Sequence, residues 1–136
     1  MTTEESEIRA LVDDMATTIF HAKRVGFVQI STVDQRDIIL DRSNGELFRS
    51  GQKLRIRLEQ GRAELTLKGE IRTVNDIAQR SEVTICLIPD QVDGLLTFFN
   101  AFGFPVLFQI WKERTTLKRE DVTLTVDSWP KIHETL

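Results

Sequence analysis

The sequence predicts an α+β fold, mainly an antiparallel sheet with two helices packed outside it. Three observations point there. Apolar and polar residues alternate with period two in several segments, as in strands with one buried face. Tight-turn residues separate neighbouring segments of this kind, which marks hairpins. Two stretches at helical spacing each stop at a glycine, Gly26 and Gly103.

The elements follow in order. Residues 5–12 read as a strand. Asp13 or Asp14 caps a helix through Arg24, with Met15, Ile19, Phe20 and Lys23 on one side. Phe27–Ile30 and Asp37–Leu40 read as extended, with a polar turn around Ser31–Gln35 between them. Ser43-Asn44-Gly45 is a turn. Leu54–Glu59 and Ala63–Lys68 form a hairpin about Gln60-Gly61, and Glu70–Gln79 is polar enough for a loop or short helix. Arg80–Ile88 is a strand ended by Pro89. Asp90 caps a helix to Phe102, whose Phe98, Phe99 and Phe102 mark a core face; an exposed part of that face would serve a homodimer. Val106–Leu117 and Val122–Asp127 are strands joined by a turn at Lys118–Asp121, and Pro130 begins a tail. A weak repeat runs through this order. Residues 5–14 resemble 80–90, and each segment is followed by a helix, a Gly-Phe pair and strands.

At 136 residues the chain is read as one domain, 1–136, able to bury a core without disulfides. Its single cysteine, Cys86, excludes a disulfide framework and a Cys-rich zinc site, and points to a reducing, cytoplasmic compartment. Flanked by Ile85 and Leu87, Cys86 reads as a core residue. The histidines, His21 and His133, lie too far apart in sequence to suggest a His-based site. The acidic start and the lack of long apolar runs predict no targeting peptide and no membrane partner. A net charge of −3 argues against nucleic acid. Trp111 and Trp129 read as packing residues, and the sequence has no tyrosine.

Charges fall in strand phase. Such faces are ordinarily the solvated side of a sheet, but this set is rich in arginine, the residue suited to bidentate phosphate recognition. Seven cations share these faces: Arg9, Arg55, Arg57, Lys68, Arg80, Lys112 and Arg114. Beside them stand Glu5, Glu7, Glu82 and Asp127. Cations bind a polyphosphate, and clustered carboxylates hold Mg²⁺ or Mn²⁺, which bridges phosphate oxygens. A barrel with a polar interior would bring these faces together.

The ordered set of segments resembles the CYTH superfamily, which includes class IV adenylate cyclases, thiamine triphosphatases and inorganic triphosphatases. The resemblance rests on Glu5-x-Glu7-x-Arg9, Gln35-Arg36-Asp37 with Asp41, LxxxGxxLRIR at 47–57, ELTLKG at 64–69, Arg80-x-Glu82, Gly103-Phe104, Ile110-x-Lys112-x-Arg114 and VTLTVDxxP at 122–130. It covers nearly the whole chain and implies a CYTH-like antiparallel barrel, or tunnel, that binds triphosphates with a divalent metal. The chain departs from the family pattern in four places. Arg9 replaces a lysine, and arginine cannot serve as a proton-transfer base. Ile39 stands where an aromatic is usual, and Thr84 replaces a second glutamate. A further acidic ExE strand would begin about where the chain ends, so either the chain is cut short there or its acidic cluster is depleted.

The resemblance implies a divalent-metal-dependent enzyme acting on nucleoside or organic triphosphates. One chemistry is that of an adenylate cyclase, ATP to cAMP and pyrophosphate; the other is triphosphate hydrolysis. The alternative is a non-catalytic polyphosphate- or nucleotide-binding module, and a third reading is a purely structural barrel. Lys68 and Arg114 are the expected catalytic residues. Arg9, Arg55, Arg57, Lys68, Arg80, Lys112 and Arg114 are expected to bind phosphate, and Glu5, Glu7, Glu82 and Asp127 to hold Mg²⁺ or Mn²⁺. The expected ligand is ATP, thiamine triphosphate or tripolyphosphate. The missing tyrosine removes one way to activate water and tilts the reading toward the cyclase.

Overall fold

The computed structural model describes residues 2–129. The tail from Pro130, with Lys131 and His133, lies outside the described residues. The strands are β1 (Thr2–Glu7), β2 (Val28–Leu40), β3 (Lys53–Glu59), β4 (Arg62–Lys68), β5 (Arg72–Val74), β6 (Ile77–Leu87), β7 (Val106–Arg119) and β8 (Val122–Ser128). The helices are α1 (Met15–Arg24), α2 (Glu46–Arg49) and α3 (Val92–Phe102). The strands follow the order β1-β6-β4-β3-β2-β7-β8, with β5 on β6. This is the mainly antiparallel α+β class expected. The first strands of the suspected repeat, β1 and β6, are paired neighbours, and β2 and β7 are adjacent too.

The chain divides into two compact units. The first takes the chain up to Arg9 and then Arg36–Ile110; the second takes Ala10–Gln35 and the chain from Trp111 on. In the first unit, β3 and β4 form the expected hairpin in the register Glu59↔Arg62. Its two turn residues, Gln60 and Gly61, have φ of 48° and 71°. Positive φ at both positions matches the right-handed twist of the flanking strands. The even residues of β3, Leu54 and Ile56, join Ile38, Leu40, Ala63 and Val92 in the core. From α3, Leu95, Leu96 and Phe99 pack onto that core. The helix thus covers the apolar side of β3, and Arg55 and Arg57 stand on the other.

Several expectations are corrected in this unit. After an irregular pair at 70–71, the expected loop or helix is replaced by strand: β5 and the start of β6 make a second hairpin about Asn75 and Asp76, at φ 51° and 64°. Asparagine and aspartate tolerate that conformation better than other non-glycine residues, so polarity here marked a turn between short strands. The first strand ends at Glu7, not at residue 12. Glu7 pairs with Ala78, and β6 begins one residue before that, at Ile77. Asp90 does not cap α3. A 3₁₀ turn at Pro89–Gln91 precedes the helix, and the Gln91 side chain accepts a hydrogen bond from Ile88 N at 3.1 Å. Phe99 meets the core, but Phe98 and Phe102 are exposed and stack on each other. Cys86 is exposed, not a core residue. It shares its face of β6 with Glu82 and Thr84, opposite the apolar one.

The second unit is built on Ala22, Leu117 and Val126, with Met15, Ile19, Phe27 and Leu124 around them. Asp14 caps α1, its Oδ1 accepting from Ala16 N at 3.0 Å. The polar turn expected at Ser31–Gln35 is instead continuous strand. Val33 and Gln35 are buried on one face, and on the other the Thr32 hydroxyl meets that of Thr115 at 3.2 Å. Polar residues in a half-buried strand imitate a turn when they find partners across the sheet. The expected four-residue turn at 118–121 shortens to Glu120-Asp121, because Lys118 and Arg119 still pair with Thr123 and Val122.

Candidate functional site

The first unit gathers its charges by register. Lys53 lies opposite Lys68, Arg55 opposite Thr66, Lys68 opposite Glu82, and Glu5 opposite Arg80. These pairs sit on the face turned away from Leu54, Ile56, Leu65 and Leu67, because side chains alternate across a strand. Arg55, Lys68 and Arg80 are each less than a tenth exposed. Lys68 Nζ is 2.7 Å from Glu5 Oε2 and 3.6 Å from Glu82 Oε2. Arg80 is held by backbone, with Nε donating to Gly69 O at 3.2 Å and Nη2 to Gly51 O at 3.1 Å. Those bonds fix its guanidinium without neutralising it. Thr84 hydrogen-bonds the Thr66 hydroxyl at 3.2 Å and donates to Glu82 at 3.4 Å.

The electrostatics follow. Burial opposes the ionisation of Glu5, but the Lys68 hydrogen bond and the charges of Lys68, Arg80 and Arg55 outweigh it and hold the carboxyl below its ordinary range. Lys53 shows the reverse. Burial, then the charges of Arg55, Lys68, Arg9 and Arg80, lower it to about 8. Lysine normally titrates near 10.4, so this face disfavours a further positive charge.

Arg57, on the same side of β3, is committed to Asp37. Nε and Nη2 donate to the two carboxylate oxygens at 2.7 and 2.8 Å. The side chains are only 11% and 5% exposed. Arg9 and Glu7 pair with each other at 2.9 Å in an exposed position. Asp41 is structural: it accepts from the backbone of Leu47 and Phe48 at 2.9 and 3.0 Å and so starts α2.

The second unit carries its own cluster. Arg114 Nε and Nη2 donate to both oxygens of Asp127 at 2.7 and 2.8 Å, and Lys112 Nζ lies 3.3 Å from the same carboxylate. The Lys112 ammonium also sits 5.2 Å from the centre of the exposed Trp129 ring, within cation–π range. Burial raises Asp127, but Arg114 and Lys112 together hold it below the ordinary carboxylate range.

The structure therefore brings Arg55, Lys68, Arg80, Glu5 and Glu82 together in one unit, and Lys112, Arg114 and Asp127 in the other. Among the described residues, no three His, Cys, Asp or Glu side chains converge as a ready metal site. Two residues escaped the sequence reasoning. Lys53 sits two positions before Arg55 and so shares its face, a signal that period two already carried. Asp37 was visible as part of a motif, but its partner 20 residues away was set by the fold.

A mainly antiparallel sheet with a buried, cation-rich face defines the class of protein. The chain belongs to the CYTH domain family, which matches residues 3–132. It is 28% identical over 124 residues to the "Putative adenylate cyclase MJ0240" of Methanocaldococcus jannaschii, covering 90% of this chain and 69% of that protein. Among solved structures it is similar to the PH1819 protein of Pyrococcus horikoshii OT3, with a TM-score of 0.71 at 19% identity over 97% of this chain and 73% of that one. It is also similar to a Hippeastrum protein described as "Putative adenylyl cyclase HpAC1", for which a dominant triphosphatase activity is stated. That likeness has a TM-score of 0.68 at 13% identity, over 95% and 72% of the two chains. These structural likenesses carry the fold. No helix among the described residues is long and apolar enough to cross a membrane.

Proposed function

We propose that the chain binds a nucleoside or organic triphosphate on the cation-rich face of the first unit and acts on it with Mg²⁺ or Mn²⁺. One observation carries this reading: Arg55, Lys68 and Arg80 are buried side by side, with Lys53 beside them. Burying a charge costs several kcal/mol unless it is compensated. Glu5 and Glu82 compensate in part, and a polyanion would complete the balance. Arginine forks and lysine ammonium groups are suited to phosphate oxygens.

Glu5 and Glu82 also fit a metal role. Both approach the same Lys68 ammonium, and Mg²⁺ is commonly held by one or two carboxylates together with substrate phosphates and water. When bound, the ion would neutralise phosphate charge. The sequence pattern offers Glu7 as a further carboxylate and Arg9 as a further cation, and, in the second unit, Asp127, Lys112 and Arg114; Arg57 is engaged with Asp37. Lys68 is the central group of the first cluster, and we assign it the catalytic role of orienting the phosphate chain and stabilising its charge; for Arg114 the sequence pattern alone supports a catalytic role. The absence of tyrosine and the presence of Ile39 favour cyclisation of ATP over hydrolysis. The composition, with its single cysteine, fits a cytoplasmic site of action.

A second reading has its own support. Lys68 is tied to Glu5 at 2.7 Å, and Thr84 stands where the family pattern has a carboxylate, which suits a module that holds a triphosphate without turning it over. Incubation with ATP, thiamine triphosphate or tripolyphosphate, with and without Mg²⁺, separates the readings by phosphorus NMR. Metal-dependent pyrophosphate and cAMP indicate the cyclase, and orthophosphate the hydrolase. Binding without product indicates the module. Neither binding nor product refutes the triphosphate reading.

A further inference from the structure

Lys53 is a lysine placed among cations. It leads β3 two residues before Arg55, so the two share a face, and the β3–β4 register sets it opposite Lys68. Arg80 of β6 and Arg9, just beyond β1, act on it as well. The carboxylates of this face, Glu5 and Glu82, are engaged with Lys68. Unlike the buried Arg55, Lys68 and Arg80, Lys53 is only partly buried, at the rim of the cluster. A rim ammonium can reach a ligand without reorganising the core, and its flexible stem lets it follow a phosphate.

We propose that Lys53 is a further contact to the bound phosphate chain, and that it couples triphosphate binding to uptake of a proton. This rests on the triphosphate reading and adds a residue and a linked proton to it. The cause is reciprocal. The surrounding cations and partial burial hold the free amine at about 8. A polyanion laid on the same face reverses the local potential and favours the ammonium. Protonation and anion binding then assist each other by the same factor. Affinity is full below about pH 8 and falls as pH rises through that value, because the neutral amine must first gain its proton. The ligand's own last ionisation is common to wild type and Lys53→Arg, so the difference between the two proteins isolates the lysine.

The test is calorimetric titration with tripolyphosphate in EDTA, in buffers of different ionisation enthalpy. Wild type is expected to take up about half a proton per ligand more than Lys53→Arg at pH 8, and almost the same amount at pH ~6.5. Lys53→Arg keeps the charge but does not titrate in this range; it should still bind at pH 8, with that excess uptake absent. Lys53→Met should bind roughly tenfold or more weakly at pH ~6.5, as for loss of a charge-assisted hydrogen bond. Uptake by Lys53→Arg equal to wild type overturns the proposal, and so does unchanged affinity in Lys53→Met. Lys53→Arg alone carries the test if Lys53→Met does not fold. A wild type that fails to bind tripolyphosphate refutes the triphosphate reading itself, and this inference with it.

Discussion

Replacing Arg57 by methionine should destabilise the protein far more than replacing an exposed arginine. The reason lies with its partner. Asp37 is 5% exposed, and both of its oxygens receive hydrogen bonds from Arg57, at 2.7 and 2.8 Å. Methionine fills much of the space but donates nothing, so the buried carboxylate loses two charge-assisted hydrogen bonds. Breaking a buried ion pair from one side costs about 3–5 kcal/mol. With a urea slope of roughly 1–3 kcal/mol per molar for a small domain, the midpoint should fall by about 2 M. Removing both charges, as Asp37→Leu with Arg57→Met, should recover most of the loss, since well-packed apolar replacements of buried pairs are often neutral. Urea unfolding of wild type, each single variant and the double variant closes the cycle. If Arg57→Met keeps the wild-type midpoint but loses tripolyphosphate binding, then Arg57 serves the ligand and not the fold, and this reasoning is wrong.

Asp127 and its two cations should contribute to acid resistance. Its carboxyl is held below the ordinary value of 3.8, so the stability it adds is present above that value and is lost as pH falls through the lower, folded one. Asp127→Asn should therefore be less stable than wild type at pH 7, with the gap narrowing as pH falls below 3.8; a gap that does not narrow would mean that the charge pair is not its source. Gly103 ends α3 at φ 101°, with an Arg42 nitrogen 3.3 Å from where a Cβ would sit. Gly103→Ala should cost about 1–2 kcal/mol, seen as a melting point lowered by several degrees, and an unchanged melting point would show that the helix end rearranges freely. Glu82→Gln should reduce the gain in triphosphate affinity on adding Mg²⁺, and an equal gain in both proteins would remove Glu82 from the metal set.

Much of the sheet was legible because period two survives wherever one face is apolar. β3 and β4 alternate so regularly that their hairpin, its turn and the sides of Arg55, Arg57, Glu64 and Lys68 followed from the sequence, although reading the strand from Leu54 left Lys53 out. The glycines at 26 and 103 announced the helix ends, since both adopt the positive φ that other residues avoid. Legibility failed where a strand is polar. Ser31–Gln35 resembles a turn until Thr32 meets Thr115, a residue 83 positions away. The segment 70–79 resembles a loop because β5 is three residues long and its turn is made of Asn75 and Asp76.

The candidate site was legible by face but not by partner. Strand phase assigns a charge to a side of the sheet, whereas its neighbours there depend on register. Arg55 and Arg57 are two residues apart on one strand and look equivalent in sequence. Register gives Arg57 the carboxylate of Asp37, whereas Arg55 acts on both Glu5 and Lys53. The same holds for the acids: Glu5 and Glu82 both reach Lys68, while Glu7, two residues from Glu5, turns to Arg9. A cation with a buried bidentate partner is already satisfied and adds little to an anion site. A cation crowded by other cations gains most when an anion arrives. That difference makes Lys53, which the charge pattern alone did not single out, more sensitive to a bound phosphate than Arg57, which the pattern counted among the phosphate-binding cations.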